Sequence, residues 1–215
     1  MALIADPFRA ARLILSLRQA GVRDPAVLQA METIDRSVFV DESCADIAFE
    51  DTILPIGCGQ ILDRPTQLGL LMQAMALPQD RTARVLLVGA GSGYLAALIA
   101  QTAGHVFAVD RYRRLVRETT QRLDRLGVSN ATVHHGDGLD GWQEQGPFTH
   151  IVLAGSVQMV PARLLGQLTP DGSVTAPIRT MEGDLIRRTT ATGGNGDLPA
   201  PERFQPLREG VADAL

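Results

Sequence analysis

The stretch that decides the fold is Arg84-Val-Leu-Leu-Val-Gly-Ala-Gly-Ser-Gly-Tyr94, in which a short apolar run leads directly into three glycines. Four consecutive aliphatic residues are typical of a parallel strand that is buried on both faces. Glycine allows the chain to turn sharply and lets a ligand lie against bare backbone. The sequence therefore predicts a buried strand, a ligand-binding turn, and a helix that begins at Tyr94.

The spacing of these glycines distinguishes between cofactors. A dinucleotide-binding turn reads Gly-x-Gly-x-x-Gly and holds a pyrophosphate at the helix N-terminus. Here the third glycine comes one residue earlier, and Tyr94 takes the sixth position. This form is associated with S-adenosylmethionine, which has no pyrophosphate, although a tight turn without a ligand also satisfies the pattern. The predicted cofactor contacts in the turn are Gly89, Ala90, Gly91, Ser92 and Gly93.

Two acidic residues at later strand ends support a cofactor site. Asp110 follows the next apolar run and can accept hydrogen bonds from both ribose hydroxyls, or else cap the following helix. Asp137, between two glycines, can accept from the adenine amino group, or else belong to a plain β-turn. Carboxyl ends of parallel strands share one edge of a sheet, where ligands bind in open α/β folds. The predicted contacts at this edge are Asp110, Arg111, Asp137 and Gly138.

Apolar runs alternate with helical segments, which predicts an α/β domain with a doubly wound, mostly parallel sheet. Strands are expected at 85–88, 105–109, 132–134, 151–153, 173–176 and 203–207, and helices at 94–103, 113–126 and 161–168. Pro170-Asp-Gly172 is expected to close the last helix, and 192–199 to form a flexible loop. Residues 1 to about 50 are expected to be helical, with Asp24 capping a helix that begins at Pro25. Another helix is expected from Pro65.

The length of 215 residues suits one domain, with N-terminal helices and an active-site loop over 1–78 and a cofactor-binding core over 79–215. A net charge of -4 argues against a dedicated nucleic-acid binder. Two cysteines and four scattered histidines give neither a disulfide framework nor a zinc signature. Because charged residues interrupt the apolar runs, including the N-terminal one, we expect neither a membrane span nor a signal peptide. The expected location is the cytoplasm, and the oligomeric state is left open.

From about residue 25 to 210, the chain resembles the protein-L-isoaspartate O-methyltransferases. The matching segments are Ile34-Asp-Arg-Ser-Val-Phe-Val40, Leu54-Pro-Ile-Gly-Cys-Gly-Gln60, the glycine turn through Tyr94, Gly136-Asp-Gly138 with Trp142, Pro147-Phe148, Ile151 to Ala154, Pro161, Gln167-Leu168, and Arg203-Phe-Gln-Pro-Leu207. The segment Leu-Pro-Ile-Gly-x-Gly-Gln is specific to this family, whereas many methyltransferases share the glycine turn.

The resemblance implies the class I S-adenosylmethionine-dependent methyltransferase fold and contacts from Gln60, Ile61 and Leu62 to the cofactor. It also implies methyl transfer to the α-carboxylate of isoaspartyl residues in damaged proteins, so the expected partner is a protein or peptide. A carboxylate is already ionised at pH 7 and needs no general base. Catalysis then rests on alignment and desolvation, and the sequence shows neither a catalytic triad nor a metal site.

The chain departs from the family at the acceptor side. Where the family reads Gly-Gln-Thr-Ile-Ser-x-Pro, this chain reads Gly-Gln-Ile-Leu-Asp-Arg-Pro over residues 59–65. Asp63 therefore occupies the position of the active-site serine and is the candidate catalytic residue. An anion there repels an incoming carboxylate unless it is neutralised, for which Arg64 is the candidate.

Two alternative readings remain open. One is a divergent homologue that binds S-adenosylmethionine but has lost isoaspartyl activity or acts on another acceptor. The other is a nicotinamide-dependent oxidoreductase, which Tyr94 at the third glycine position disfavours.

Overall fold

The structure is a computed structural model that describes residues 8–212. The first seven and last three residues of the expected domain, including the start of the expected N-terminal helix, lie outside the described residues. The helices are α1 Arg9–Gln19, α2 Pro25–Thr33, α3 Pro65–Met75, α4 Tyr94–Ala100, α5 Arg113–Arg125 and α6 Ala162–Leu165. The strands are β1 Leu54–Pro55, β2 Ile61–Leu62, β3 Arg84–Val88, β4 His105–Asp110, β5 Ala131–His135, β6 Phe148–Leu153, β7 Leu168–Arg179, β8 Asp184–Thr190 and β9 Asn195–Pro199.

Seven of these strands form one sheet in the order β5-β4-β3-β6-β7-β8-β9. The five strands from β5 to β7 pair in parallel, and β8 and β9 add an antiparallel edge. This confirms the predicted mostly parallel, doubly wound sheet. The central strand is β3, which pairs with β4 on one side and β6 on the other.

The apolar run of β3 is buried on both faces, as predicted. Val85 and Leu87 pack into one apolar cluster, and Leu86 and Val88 pack into a second cluster on the opposite face. This alternation follows the two-residue period of a strand. The first cluster also contains buried residues of α1 to α4, so it joins the N-terminal helices to the sheet.

The predicted helix starts are confirmed. The side chain of Asp24 accepts hydrogen bonds from the amides of Ala26 and Val27, and Pro25 is the first residue of α2. Pro65 is likewise the first residue of α3. Between α2 and β1, however, the expected helical region contains only two 3-10 helices, Arg36–Phe39 and Glu42–Ile47.

Two predicted elements near the middle of the chain are wrong in extent. The helix expected over 94–103 ends at Ala100, and the helix expected over 161–168 is only the single turn of α6. Pro170, Asp171 and Gly172 do not close that helix, because they lie within β7. There the pairing with β6 shifts from Phe148–Leu168 to His150–Ser173. These three turn-forming residues therefore lie at an irregularity within a strand, where they interrupt its pairing, and not at the end of a helix.

The C-terminal part also differs from the prediction. The loop expected over 192–199 is largely β9, which forms a hairpin with β8. The strand expected over 203–207 does not form, and only a single bridge joins Ser156 to Pro206. Proline has no N–H and cannot sustain a ladder of hydrogen bonds. Residues 203–212 instead run over the sheet edge, and we call them the C-terminal strap.

Candidate functional site

The glycine turn after β3 has the predicted conformation. Gly89, Gly91 and Gly93 all have positive φ, at 90°, 55° and 93°. Residues that carry a side chain rarely adopt a positive φ, so the turn depends on glycine. A side chain at Gly91 would meet nothing closer than 3.7 Å, whereas one at Gly93 would lie 2.8 Å from Thr119 Cγ2 on α5. Gly91 thus leaves bare backbone at the cavity, and Gly93 permits close packing of a helix.

Asp110 ends β4 beside this turn. It is only 6% exposed, and its two carboxylate oxygens accept hydrogen bonds from the amides of Gly91 at 2.8 Å and Tyr112 at 2.9 Å. Burial raises the pKa of Asp110, against these two hydrogen bonds and the charges of His135 and Arg111. Each oxygen retains a second lone pair that can accept from a ligand hydroxyl. Ribose binding by Asp110 stays a prediction.

A cavity of about 330 Å³ lies at the carboxyl edge of β3 and β4. This volume is at the lower end of the range for small-molecule sites, about 300–1,000 Å³. The predicted site residues on its walls are Gln60, Ile61, Leu62, Asp63, Gly89, Ala90, Gly91, Ser92, Asp110, Arg111 and Gly138. The structure thus brings together residues that lie far apart in the sequence.

Two predicted contacts, Gly93 and Asp137, are not on the cavity wall. The side chain of Asp137 accepts hydrogen bonds from the amides of Leu139 at 2.9 Å and Gly210 at 2.5 Å. It therefore fixes the turn after β5 and ties down the C-terminal strap. Its proposed contact with adenine stays a prediction.

The segment 54–62 forms the opposite wall as a short hairpin. Leu54 pairs with Leu62 and Pro55 with Ile61, so residues 56–60 form the loop of this hairpin. The side-chain amide of Gln60 donates to the carbonyl of Cys58 at 3.1 Å and to the Tyr112 hydroxyl at 3.3 Å. Gln60 thereby connects the hairpin to the end of β4.

Asp63 lies directly after this hairpin and lines the cavity. It is 7% exposed, and its Oδ1 is enclosed without a hydrogen-bond partner among the described residues. Burial raises its pKa from 3.8 to about 7, and the nearby charge of Arg36 opposes this rise. The position inferred from the resemblance is therefore a buried acid at the cavity.

The expectation that Arg64 neutralises Asp63 is not met. The guanidinium of Arg64 pairs with Glu202 at 2.9 Å and donates to the carbonyl of Asp51 at 3.0 Å. The cation that acts on Asp63 is Arg36, which the sequence reading did not select. The signal for it in the sequence is its place in the segment Ile34–Val40, which is among those that match the resembled family.

Arg36 is completely buried and organises the part of the site around Asp63. Its terminal nitrogens donate to four backbone carbonyls at 2.9–3.3 Å, those of Ala48, Glu50, Thr52 and Asp63. Burial lowers its pKa to about 10, so it remains charged at neutral pH. These contacts hold the chain from the second 3-10 helix to Asp63 in one conformation.

The C-terminal strap forms part of the cavity wall, which the sequence does not predict. Gln205, Pro206, Leu207 and Arg208 line it. The strap is fixed because the Ser156 amide donates to the Gln205 carbonyl at 2.9 Å and the Leu207 amide donates to the Ser156 carbonyl at 3.0 Å. Gly155 permits this approach, since a Cβ there would lie 2.5 Å from the Gln205 carbonyl oxygen.

These walls fit an adenosyl group. Bare backbone at Gly91, a buried acid at Asp110 and apolar side chains at Val88, Leu115 and Leu139 match a nucleoside with two hydroxyls and a flat apolar base. Among residues 8–212, no group of three or more His, Cys, Asp or Glu residues could hold a metal ion. Within the same range, no helix is long and apolar enough to cross a membrane.

Comparisons with known proteins show which family and fold the chain is similar to. Residues 9–197 match the family model of the protein-L-isoaspartate(D-aspartate) O-methyltransferases. A protein-L-isoaspartate O-methyltransferase of Azorhizobium caulinodans is 41% identical over 98% of both chains. A solved protein-L-isoaspartate O-methyltransferase superimposes with a TM-score of 0.80 at 25% identity, covering 94% of this chain and 67% of that one. A Plasmodium falciparum structure described as a putative member, bound to S-adenosyl-L-homocysteine, gives 0.77 at 22% identity, covering 92% and 97%.

Proposed function

Because the chain belongs to the protein-L-isoaspartate(D-aspartate) O-methyltransferase family, we propose that it transfers a methyl group from S-adenosylmethionine to the α-carboxylate of isoaspartyl residues in damaged proteins. The observation that supports this most directly is the cavity with two unlike walls. The glycine turn and Asp110 suit a nucleoside, and Asp63, directly after the hairpin, would provide a separate place for an acceptor.

The residues of this chain bind and orient the reactants. S-adenosylmethionine, when bound, supplies an electrophilic methyl group on a sulfonium. The acceptor carboxylate is ionised at pH 7 and attacks without a base, so the required contribution is alignment and exclusion of water. The glycine turn and Asp110 would hold the nucleoside. The hairpin and the strap, which both line the cavity, would exclude water.

We propose the cofactor contacts by residue. Those on the cavity wall are Gln60, Ile61, Leu62, Gly89, Ala90, Gly91, Ser92, Asp110, Arg111 and Gly138, and the set also includes Gly93 and Asp137, which are not on that wall. A protein or peptide that contains isoaspartyl residues is the proposed partner, and the cytoplasm is the proposed compartment.

The aspartate at position 63 favours a second function, in which the protein binds the cofactor but methylates a different acceptor or none. The names of the relatives do not favour that function. Membership of the family also leaves no support for a nicotinamide-dependent oxidoreductase.

Calorimetric titration with S-adenosylmethionine and S-adenosylhomocysteine, followed by methyl transfer to a peptide, tests the proposal. An isoaspartyl peptide should be methylated, and the same peptide with an ordinary aspartyl residue should serve as the unreactive control. Binding without transfer to either peptide would support the second function. Failure to bind both cofactor forms would overturn the assignment of the cavity.

A further inference from the structure

We propose that Asp63 works as a carboxylic acid, donating a hydrogen bond from its carboxyl group to the carboxylate of the methyl acceptor. This inference rests on the proposed function and adds to it, because it assigns the protonation state in which the site accepts its substrate. In the resembled family a serine hydroxyl occupies this position. A protonated aspartate is the form of this side chain that offers the same kind of donor.

The geometry around Asp63 is that of an uncharged group. The residue lies on the cavity wall and is 7% exposed, and its Oδ1 has no hydrogen-bond partner among the described residues. A buried carboxylate without donors is costly, whereas a carboxylic acid is less so and carries a proton that it can donate. The carboxyl group is therefore free to pair with a ligand that enters the cavity.

The cations nearby are occupied elsewhere. Arg36 contacts Asp63 only through the backbone carbonyl, and its remaining hydrogen bonds go to three other carbonyls. Arg64 faces Glu202 and the carbonyl of Asp51. Neither arginine therefore donates a hydrogen bond that would hold the Asp63 side chain in its ionised form.

Asp51 and Tyr94, the other titratable groups that act on Arg36, do not supply a donor to Asp63 either. The carboxylate of Asp51 accepts from the amide and hydroxyl of Thr66 at the start of α3. Tyr94 on α4 is fully buried, and burial holds its pKa above the usual value, so it stays neutral. Together these surroundings are consistent with the pKa of about 7 that burial gives Asp63 against the single opposing charge of Arg36.

The proposal has a consequence for acceptor binding. An ionised Asp63 beside the acceptor would place two anions in one poorly hydrated cavity, which is unfavourable. A protonated Asp63 turns this repulsion into a charge-assisted hydrogen bond. Above its pKa the protonated fraction falls tenfold for each pH unit, so kcat/KM should fall along with it.

The test is kcat/KM for an isoaspartyl peptide between pH 6 and 9, with the full chain and saturating S-adenosylmethionine. The wild type should lose activity above about pH 7, approaching a tenfold loss per pH unit by pH 9. Asp63→Asn and Asp63→Ser cannot ionise but retain a donor, so each should stay active with a profile that is flat by comparison. The loss in the wild type should lie mainly in KM, since the acceptor is repelled.

Two controls separate this inference from the proposed function. The dissociation constant of S-adenosylhomocysteine, measured at each pH, should show no matching change, and melting temperatures should show that both variants are folded. A wild-type profile that is flat, that rises with pH, or that both variants reproduce would overturn the role of Asp63 and leave the proposed function standing. If the wild type and both variants bind cofactor but methylate no isoaspartyl peptide at any pH, the proposed function itself is overturned, and this role with it.

Discussion

Two walls of the cavity differ in how their polar groups are satisfied by hydrogen bonds. The cofactor wall is the glycine turn with Asp110 and Arg111, and the acceptor wall is Asp63 with the segment that Arg36 holds. On the cofactor wall, both carboxylate oxygens of Asp110 accept backbone hydrogen bonds, and so do those of Asp137 in the turn after β5. Five enclosed side-chain atoms in the described chain have no partner, and four of them are on or near the acceptor wall: Arg36 Nε, Asp63 Oδ1, Arg64 Nε and Tyr94 Oη. The fifth is Arg111 Nε.

This difference shows how one cavity can serve two reactants. Buried polar groups are nearly always hydrogen-bonded, and the exceptions call for an explanation. On the cofactor wall the acids are satisfied by local turns, and among the described residues of that wall only Arg111 Nε is enclosed without a partner. The acceptor wall is held by one arginine and leaves Asp63 Oδ1 without a partner, and this unpartnered group is the one to which we have assigned a role toward the substrate.

The largest expected effect tests how the acceptor wall is held. Arg36→Met should lower the free energy of unfolding by about 3–5 kcal/mol, because four backbone carbonyls lose their buried donor. Urea titration measures this loss. Arg9→Met is the matched control: its ion pair with Asp35 is part-exposed, so the expected cost is under about 1 kcal/mol. Similar losses in the two variants would contradict the organising role of Arg36.

The next effect concerns the unpartnered acid. Since the folded-state pKa of Asp63 is raised from 3.8 to about 7, the folded protein binds more protons, and wild-type stability should fall as pH rises through this interval. The full change corresponds to about 4 kcal/mol. Asp63→Asn removes this contribution, so the stability of the variant relative to the wild type should increase from pH 4 to pH 8. Parallel stability curves from denaturant titration at each pH would show that Asp63 is ionised in the folded protein.

The smallest effect tests the cofactor wall. Asp110→Ala removes the acceptor of two backbone amides and of the proposed ribose contacts. S-adenosylhomocysteine should bind about 10–100-fold more weakly, equivalent to about 1.5–3 kcal/mol. Asp124→Ala, at an exposed position of α5 away from the cavity, should leave calorimetric affinity unchanged. Unaltered affinity in Asp110→Ala would remove this acid from the cofactor site.

The sequence predicted the cofactor wall better than the acceptor wall. The strand, the glycine turn and Asp110 form a compact unit in which periodicity and glycine spacing decide the conformation. Arg36 could not be selected in this way, because its carbonyl partners lie 12 to 27 residues further along the chain. The residues next to Arg36 in the sequence do not indicate which carbonyls it contacts.

The errors in the fold have a similar physical origin. Pro170, Asp171 and Gly172 favour a turn, but a turn can end a helix or interrupt a strand, and the pairing of β7 with β6 selects the second. Residues 203–207 of the strap predict a strand because their apolar side chains suit one. The actual place of the strap depends on Ser156 and Gly155, about 50 residues earlier in the chain.

The strap also determines when the site can be completed during synthesis. The chain emerges from the ribosome with its N-terminal part first. The hairpin, the glycine turn and Asp110 are therefore available long before residues 205–208, which supply the remaining wall. Until the strap has emerged and bound Ser156, a nascent chain can hold much of the sheet yet has an open cavity. Competence for catalysis is thus reached only after residue 208 has been translated.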